Sequence, residues 1–553
     1  MKKFLKITGF ALAIVIVIPA IWLTYLYQSA DMKNPNIPVD LTSYQVLQDS
    51  GYTSCNASKL RHNKNGLWEI YLEGDAINRG TTLGKLTKEL LHYQEQTFID
   101  QIREIIPSDS YLKFLRFFTI IFNRNMGAFV PEEFREEIYG MSLSCSDEFD
   151  AIGPAYERQL NYHGAHDIGH TMQEYMLVGC SSFGVWENKS SDSTLLIGRN
   201  FDFFVGDNFA KNKLITFVSP SKGYKYAAIG WAGMIGVLSG MNEKGLTITI
   251  NAAKGDIPTS AAMPISILAR EILQYASTID EAYKIAQSRH TFVSESLLIG
   301  SAIDKKAAII EKTPYQIALF QSSTNQIICT NHYQADNYKK DPKNIENIQN
   351  SDSPYRYARL EELLAENKTI SPIIASTILR DRHGKNNTEI GFTNEKSLNQ
   401  DIAHHSVIFK PQQGLMWVST SPWQSGEYVC YDLNKIFNGV NFSKEIYVDS
   451  LTIAADSTFL KTNFQKIIDY RLGVRELKKS MTNELPLSAQ KLDDFIQLNP
   501  NFYYVYTLLG DYHHHFADKE KALWNWEKAL TLEIPRKNER DAIENKINSV
   551  RND

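Results

Sequence analysis

The chain has 553 residues, of which 43% are hydrophobic and 22% are charged, and its formal net charge is -5. This composition is that of a folded globular protein, and it excludes a disordered chain and the basic surface typical of nucleic-acid binders. The length suits about three domains of ordinary size. The five cysteines are scattered and form no CxxC pair, which excludes a zinc ribbon and a dense disulfide framework.

The first thirty residues predict a membrane segment. Three lysines in the first six residues precede an apolar run, 7–27, that is long enough for a helix across a bilayer. The lysines favour a cytoplasmic amino terminus, which puts the rest of the chain outside the cytoplasm. A cleaved signal peptide is the alternative, although the end of the run lacks the small residues of a good cleavage site. We expect residues 1–30 to be a membrane anchor or a signal sequence.

The segment 31–179 is predicted to be mainly helical. Residues 31–65 are polar and contain two prolines, which indicates a linker or arm. Residues 66–74 alternate like a strand, and a glycine-containing stretch then leads into a helical pattern over 86–106. Glycine and proline are sparse from 110 onward, so further helices are expected there.

Between residues 180 and 445 the pattern changes to short strands around a pair of amphipathic helices. Asn242 to Gly245 has the composition of a hairpin turn. In the strand after it, alternate residues share a face, so its apolar side chains lie on one side and its Thr and Asn side chains on the other. The predicted strands are 195–197, 226–231, 235–238, 246–251, 296–303, 307–311, 316–321, 326–330, 406–409 and 415–419, and the helices are 264–275 and 278–286.

A different module is predicted over residues 446–553. Several of its residues follow the spacing of a tetratricopeptide (TPR) repeat, with a proline just beyond the second helix. A single clear repeat is below the usual minimum of about three for a free-standing array, so the module is expected to pack on the catalytic domain or to form a short helical cap. The residues on this spacing are Tyr506, Leu509, Gly510, His513, Ala522, Trp526, Ala529 and Pro535.

The strongest chemical signal is the pair Gly179-Cys180, followed about twenty residues later by a polar stretch that contains Arg199 and Asp202. The open carbonyl of Gly179 favours attack by the Cys180 thiol on its own preceding peptide bond. Cleavage would give Cys180 a free α-amino group, whose ordinary pKa near ~8 suits a general base for its own thiol. Arg199 and Asp202 are predicted to hold that amine. The alternatives are a buried structural cysteine and a surface ion pair.

Together these motifs resemble the choloylglycine hydrolase and penicillin acyltransferase families of N-terminal nucleophile (Ntn) hydrolases, over roughly residues 66–433. The resemblance implies an α+β fold in which two sheets lie between helical layers, an αββα sandwich. It also implies that Cys180 is the nucleophile, that Arg199 and Asp202 orient its amine and thiol, and that no cofactor is needed.

Three further residues are candidates by the same resemblance. Asn331, in a Thr-Asn motif, and Asn251, at a strand end, are predicted to donate hydrogen bonds to the oxyanion of the tetrahedral intermediate. The alternative for both is an asparagine that caps a turn. Arg356 is predicted to support the nucleophile, and a solvated helix start that includes Arg359 is the alternative.

His163, His166 and His170 lie within about two helical turns, just before the predicted cleavage point. This spacing is compatible with a metal site, in which Asp167 and Glu174 could be further ligands. We predict instead that these histidines are hydrogen-bonded in the core or line the region near the cleaved bond, and we predict no metal and no cofactor.

The sequence therefore predicts a membrane-anchored, extracytoplasmic and self-processing cysteine hydrolase or acyltransferase. Its substrate would be a small or lipid-like N-acyl amide, and its C-terminal module could bind a protein partner. After cleavage, 31–179 would stay bound as a small subunit. One alternative is an inactive Ntn scaffold that presents the C-terminal module at a membrane, and another is a Cys-His peptidase.

Overall fold

The computed structural model describes residues 17–18, 20–30, 32–105, 108–171, 179–255, 258 and 260–552. Within these ranges no helix combines the length and the apolar character needed to cross a bilayer. Residues 7–16 and 19 of the predicted membrane segment lie outside the described residues, so the anchor stays a prediction.

The described residues form two sheets, one of eleven strands and one of six. The strands are β1 Leu47–Asp49, β2 Tyr52–Cys55, β3 Ser58–His62, β4 Trp68–Gly74, β5 Ser181–Glu187, β6 Ser193–Asp202, β7 Leu214–Pro220, β8 Tyr226–Gly230, β9 Ser239–Asn242, β10 Leu246–Ala252, β11 Glu295–Ser301, β12 Lys306–Lys312, β13 Ile317–Phe320, β14 Gln326–Cys329, β15 Ala403–Lys410, β16 Leu415–Ser419 and β17 Tyr428–Asp432.

The large sheet has the order β1-β2-β3-β4-β7-β8-β9-β10-β11-β12-β13, and the small sheet has the order β14-β5-β6-β15-β16-β17. Neighbouring strands are antiparallel except for β4 and β7, which are parallel. Through this parallel pair, a strand from before Cys180 becomes part of the sheet built by the residues after it.

Helices cover the outer face of each sheet, which gives the predicted αββα layering. The inner faces pack on each other through apolar residues of β6, β7, β8, β15 and β16. Two helices pack on the outer face of the large sheet and two on that of the small sheet. The first pair is Ile265–Tyr275 and Ile279–Ser288, and the second is Ser353–Glu366 and Pro372–Leu379.

The remaining helices lie mainly before Cys180 and after the small sheet. The first group is Ala76–Leu86, Lys88–Ile105, Asp109–Asn123, Met126–Phe129, Glu132–Ser142 and Ala155–Thr171; the others are Pro342–Asn350, Leu433–Phe437, Ser457–Thr462, Phe464–Thr482, Ala489–Leu498, Tyr503–His515, Lys519–Leu530 and Lys537–Asn552.

The prediction of a linker over 31–65 is wrong for its second half. Residues 47–62 form β1 to β3, two successive hairpins that extend the large sheet beyond β4. Their polar composition misled the sequence prediction because few of their side chains are buried. Cys55 and Leu60 are among those few, and both pack in the core.

The glycine-containing stretch before residue 86, predicted to lead into a helix, is itself helical. Gly80 and Gly84 lie inside helix Ala76–Leu86, which packs closely against helix Glu132–Ser142. A Cβ atom on Gly80 would lie 2.8 Å from the carbonyl carbon of Glu137. The two glycines therefore permit close contact between the helices, which local sequence patterns do not reveal.

Residues 235–238, predicted as a strand, are not in either sheet. The amide of Val237 donates to the carbonyl of Ser266, and Gly236 lies against the same serine. This segment is therefore held by the first residues of helix Ile265–Tyr275, and the strand β9 begins only at Ser239. The predicted hairpin turn at 242–245 is correct, with Gly245 at a φ of 74°.

The C-terminal region is helical, as predicted. Helices Tyr503–His515 and Lys519–Leu530 pack against each other, and the missing Cβ of Gly510 leaves room for the indole of Trp526. The assignment as a TPR-like module stays a prediction. The region lies against the loop before β15, where the Asn499 side chain pairs with both the amide and the carbonyl of Phe392.

A buried ion network joins the segment before Cys180 to the sheet that follows it. Glu137 accepts hydrogen bonds from Arg79 at 2.7 Å and from Arg270 at 2.9 Å. All three side chains are at most 1% exposed. Arg79 and Glu137 lie in the leading segment and Arg270 in the core, so the salt bridge between Glu137 and Arg270 crosses the boundary between them.

We expect Glu137→Gln to lower the free energy of unfolding by about 3–5 kcal/mol, because it leaves two buried guanidinium groups without their shared carboxylate. Urea titration followed by circular dichroism measures the change. Glu132→Gln, on an exposed position of the same helix, is the control and should have little effect. Equal losses in the two variants would contradict this account.

Candidate active site

The pairing of β5 with β6 builds the site around Cys180. Cys180 directly precedes β5, is 1% exposed, and lies beside the end of β6. An Nη2–H of Arg199 points to the Cys180 sulfur at 3.6 Å, and the sulfur lies 4.0 Å from the backbone oxygen of Asp202. The same oxygen accepts the amide of Gly179 at 3.3 Å. The peptide bond between Gly179 and Cys180 is therefore held against the end of β6.

Arg199 is fixed by contacts on every side. Its Nη1 donates to Ser239 at 2.5 Å, its Nη2 donates to the carbonyl of Ile250, and its guanidinium carbon lies 4.4 Å from the ring centre of Phe201. The Ser239 hydroxyl in turn lies 2.9 Å from Nε2 of His405. Because Arg199 can only donate, the Ser239 hydroxyl accepts from it.

Arg356 approaches Cys180 from the helical layer on the other side. Its Nη1 donates to the carbonyl of Cys180 at 2.7 Å and to the hydroxyl of Ser181 at 2.9 Å. Its Nη2 donates to Oδ1 of Asn331 at 2.7 Å. Arg359, one turn later, pairs instead with Asp381. Arg356 therefore joins Cys180 to one of the two candidate oxyanion donors.

The two asparagines are at the site, but their side-chain amides donate to backbone carbonyls. Nδ2 of Asn331 donates to the carbonyl of Ala252 at 2.8 Å. Nδ2 of Asn251 lies 3.0 Å from the carbonyl of Cys329 and 3.3 Å from that of Thr330. Asn331 therefore has one side-chain N–H left for a ligand, whereas Asn251 uses both in holding β10 to the end of β14.

Burial raises the pKa values of the Cys180 thiol and the Asp202 carboxyl. Removal from water raises the pKa of Cys180 to about 11, although the positive charge of Arg199 opposes the shift. Burial also raises the pKa of Asp202 to about 8, against the lowering effect of Arg356 and Arg199. Neither carboxylate oxygen of Asp202 has a hydrogen-bond partner in the described part of the chain. The uncleaved chain therefore holds a neutral thiol beside a carboxyl that keeps its proton to an unusually high pH.

His163 is a core residue, as one of the two alternatives predicted. Its Nδ1 lies 2.7 Å from the carbonyl of Gln159, and its Nε2 accepts the amide of Ile235 at 3.1 Å. Among the described residues no group of His, Cys, Asp or Glu side chains is arranged to hold a metal ion. The side chains of His166 and His170, and all of Glu174, lie outside the described residues.

Sequence reasoning missed Gln400, which also contacts the candidate cleavage site. Its Nε2 donates to the carbonyl oxygen of Gly179 at 3.1 Å, and it is 2% exposed. No motif marks this glutamine, because it lies in an irregular loop 221 residues after Gly179. The fold alone brings the two together.

Residues 186–421 match the family model described as acyl-coenzyme A:6-aminopenicillanic acid acyl-transferase. The match starts within β5 and covers most of both sheets and the helices between them. The resemblance to Ntn hydrolases of the penicillin acyltransferase type, predicted from the sequence, is therefore confirmed over this segment.

Two curated proteins are similar to the chain at 23% identity. An uncharacterized protein from Archaeoglobus fulgidus aligns over 272 residues, 46% of this chain and 45% of that protein. Protein dcd1B from Dictyostelium discoideum aligns over 274 residues, 46% of this chain and 52% of that protein. The chain thus matches about half the length of these relatives.

Solved structures also align with part of the chain. An N-acylethanolamine-hydrolyzing acid amidase ortholog from Caenorhabditis elegans covers 42% of this chain and 93% of its own, with 16% identity and a TM-score of 0.31. A mutant conjugated bile acid hydrolase from Clostridium perfringens covers 49% and 95%, with 14% identity and a TM-score of 0.33. Penicillin V acylase from Agrobacterium tumefaciens covers 46% and 87%, with 13% identity and a TM-score of 0.32.

The raised pKa of Asp202 predicts a pH-dependent stability. A carboxyl whose pKa is higher in the folded than in the unfolded chain stabilises the fold fully below its unfolded pKa of 3.8, and that contribution is lost as the pH rises to about 8. In an uncleaved Cys180→Ala background, Asp202→Asn should therefore reduce the fall in Tm between about pH 5 and about pH 9.

Differential scanning fluorimetry at several pH values measures this difference. Other buried acids lower the Tm with rising pH in both proteins. The difference between the proteins with and without Asp202→Asn therefore gives the contribution of Asp202. Asp280→Asn, at an exposed position, serves as the control and should leave the pH profile unchanged. The same fall in Tm with and without Asp202 would show that this carboxyl does not titrate in the predicted range.

Proposed function

We propose that the chain is a self-processing N-terminal-cysteine hydrolase or acyltransferase that acts on a non-peptide N-acyl amide through a thioester. The observation that carries the proposal is the environment of Cys180. A buried cysteine follows a glycine directly, with Arg199 at its sulfur and Arg356 at its carbonyl. Contacts of this kind hold a nucleophile and the bond that it attacks in one orientation.

In the maturation step, the Cys180 sulfur attacks the carbonyl carbon of Gly179. The C–N bond then breaks, and the proton lost by the thiol passes to the departing nitrogen. Water hydrolyses the resulting thioester, which leaves a carboxylate on Gly179 and a thiol with a free α-amino group on Cys180.

In turnover, the new α-amine acts as general base toward the Cys180 thiol and then as general acid toward the departing amine. Arg199 and Asp202 orient the thiol and the amine. Asn331 supplies an oxyanion donor with its remaining N–H, and Asn251 acts chiefly by holding the strand end beside it. Water or an acceptor amine resolves the thioester, and neither step requires a cofactor.

The segment 31–179 would stay attached after cleavage as a smaller subunit. Two contacts support this: the pairing of β4 with β7 and the salt bridge between Glu137 and Arg270. These contacts are formed by residues far from the cut, so cutting the bond before Cys180 does not remove them.

The membrane anchor and the extracytoplasmic location belong to the same proposal. They are supported by the lysines and the apolar run of the first thirty residues. A protein held at a membrane would meet amphiphilic amides, so a lipid-like N-acyl amide is the favoured substrate class. A partner for the C-terminal module is proposed only on its TPR-like spacing.

Purified protein should run as two fragments on a denaturing gel, the larger beginning at Cys180, whereas Cys180→Ala should stay uncut because it has no nucleophile. Intact-mass analysis identifies both ends of the cut. Cys430→Ala, which removes another buried thiol, is the matched control and should cleave normally. A wild-type chain that stays uncut under all conditions would refute the proposed activation.

The cleaved protein should release amines from at least one class of N-acyl amides, because its thiol can take the acyl group as a thioester while its α-amine protonates the departing amine. N-acyl amino acids, bile salt conjugates and penicillin V form the panel, and product formation is followed by mass spectrometry. The uncut Cys180→Ala protein supplies the background rate. Failure of the fully cleaved enzyme to turn over any long-chain amide would count against the proposed substrate class.

A further inference from the structure

We propose that Gln400 is the oxyanion donor of the self-cleavage step. It would stabilise the negative charge that forms on the Gly179 carbonyl oxygen when the Cys180 sulfur attacks. This inference rests on the self-processing proposed above, and it adds a catalytic residue for maturation that differs from the asparagines proposed for turnover.

The first observation is the contact itself. Nε2 of Gln400 lies 3.1 Å from the Gly179 oxygen in a site where Gln400 is 2% exposed. Gly179 has no Cβ, and one placed there would lie 3.0 Å from Cδ of Gln400 and closer still to its Nε2. The glycine before the nucleophile therefore has a second role beside its open carbonyl, since it makes room for the glutamine amide.

The chemistry places the new charge on this oxygen. When sulfur bonds to the carbonyl carbon, the electron pair of the C=O double bond moves onto the oxygen. It returns when the C–N bond breaks, and the nitrogen takes up the proton that left the thiol. An uncharged amide donor already directed at that oxygen stabilises the intermediate without being consumed, and its effect is large in a buried site.

The asparagines do not perform this task in the uncleaved chain. The side-chain amide of Asn331 donates to the carbonyl of Ala252, and that of Asn251 donates to the carbonyls of Cys329 and Thr330. In the part of the chain that the structure describes, Gln400 is the side chain that donates to the Gly179 oxygen.

The loop around Gln400 is held in place on both sides. The amide of Asn399 donates to the carbonyl of Asp381, and the side chain of Asn399 accepts the amide of Asp401. Asp401 has a left-handed backbone with a φ of 53°, its carboxylate pairs with Arg382, and its carbonyl accepts Nη2 of Arg471 at 2.6 Å. A donor fixed in this way needs no rearrangement at the moment of reaction.

The test compares two identical substitutions at two buried glutamines. Gln400→Met keeps an unbranched side chain of similar size but has no N–H to donate, so self-cleavage should slow by about 10²–10³-fold. Gln424→Met is the matched control, because Gln424 is also buried and donates to Leu379, not to Gly179. Cleavage is followed after cell-free synthesis by the appearance of the two fragments on a denaturing gel.

The outcomes separate this inference from the function on which it rests. A wild-type chain that never cleaves refutes the self-processing and the role of Gln400 with it. A cleaving wild type together with an equally fast Gln400→Met refutes the role of Gln400 alone. If both methionine variants are slow to the same degree, loss of packing explains the effect and the inference also fails. Tm values of both substitutions in the Cys180→Ala background check that each protein folds.

A double-mutant comparison tests the role assigned to the glycine. Gly179→Ala should also slow cleavage, because its methyl group displaces the amide of Gln400. Because both changes remove the contact with the Gln400 amide, Gly179→Ala combined with Gln400→Met should slow cleavage by less than the product of the two single effects. Multiplied effects would overturn the claim that Gly179 acts by admitting Gln400.

Discussion

The site depends on the register between β5 and β6. Ser182 lies opposite Arg199 and Ser181 lies opposite Asn200. Residues directly opposite each other share a face, so Cys180, two positions before Ser182, comes to the same face as Arg199, between the two sheets. A shift of one residue would turn Arg199 toward the helices that cover the small sheet. The side chain of Asn200 counters such a shift, because it donates to two backbone carbonyls on that outer side.

Two opposing effects set the pKa of the Cys180 thiol: burial raises it, and the guanidinium groups of Arg199 and Arg356 lower it. Arg199 lies at the sulfur and Arg356 at the carbonyl, and both favour negative charge at Cys180. Burial opposes them and prevails, which keeps the thiol of the uncleaved chain neutral over the physiological range of pH. Cutting the bond before Cys180 would add an amine and access to water, and both changes would lower the pKa of the thiol. If the proposed self-cleavage takes place, the same contacts would therefore surround a neutral thiol before the cut and a more acidic thiol after it.

Local patterns predicted many strands of the two sheets and the helix pair on the large sheet, but not β7, β17 or the second helix on the small sheet. The alternation of β10 put Asn251 on the face opposite Ile248, and that face meets the Ser182 hydroxyl. What failed was decided by distant contacts. The hairpins over 47–62 were missed because few of their side chains are buried. The helical position of Gly80 was missed because a glycine is needed there only to admit the backbone of Glu137 on another helix. Patterns within a short window carry no information on such partners.

Gln400, in the loop before β15, is a residue of the site that local sequence patterns also missed. Its inner side reaches the bond before Cys180 through Gln400, and its outer side lies against the C-terminal helices. Lys396 pairs with Glu533 across this contact, and Arg471 holds the carbonyl next to Gln400. The C-terminal region therefore helps to hold the loop that contacts the candidate cleavage site, and the surface it presents to this loop is already occupied. Any partner of the region must bind a different face, and a partner that pulled these helices away would also loosen the residue that contacts the Gly179 carbonyl.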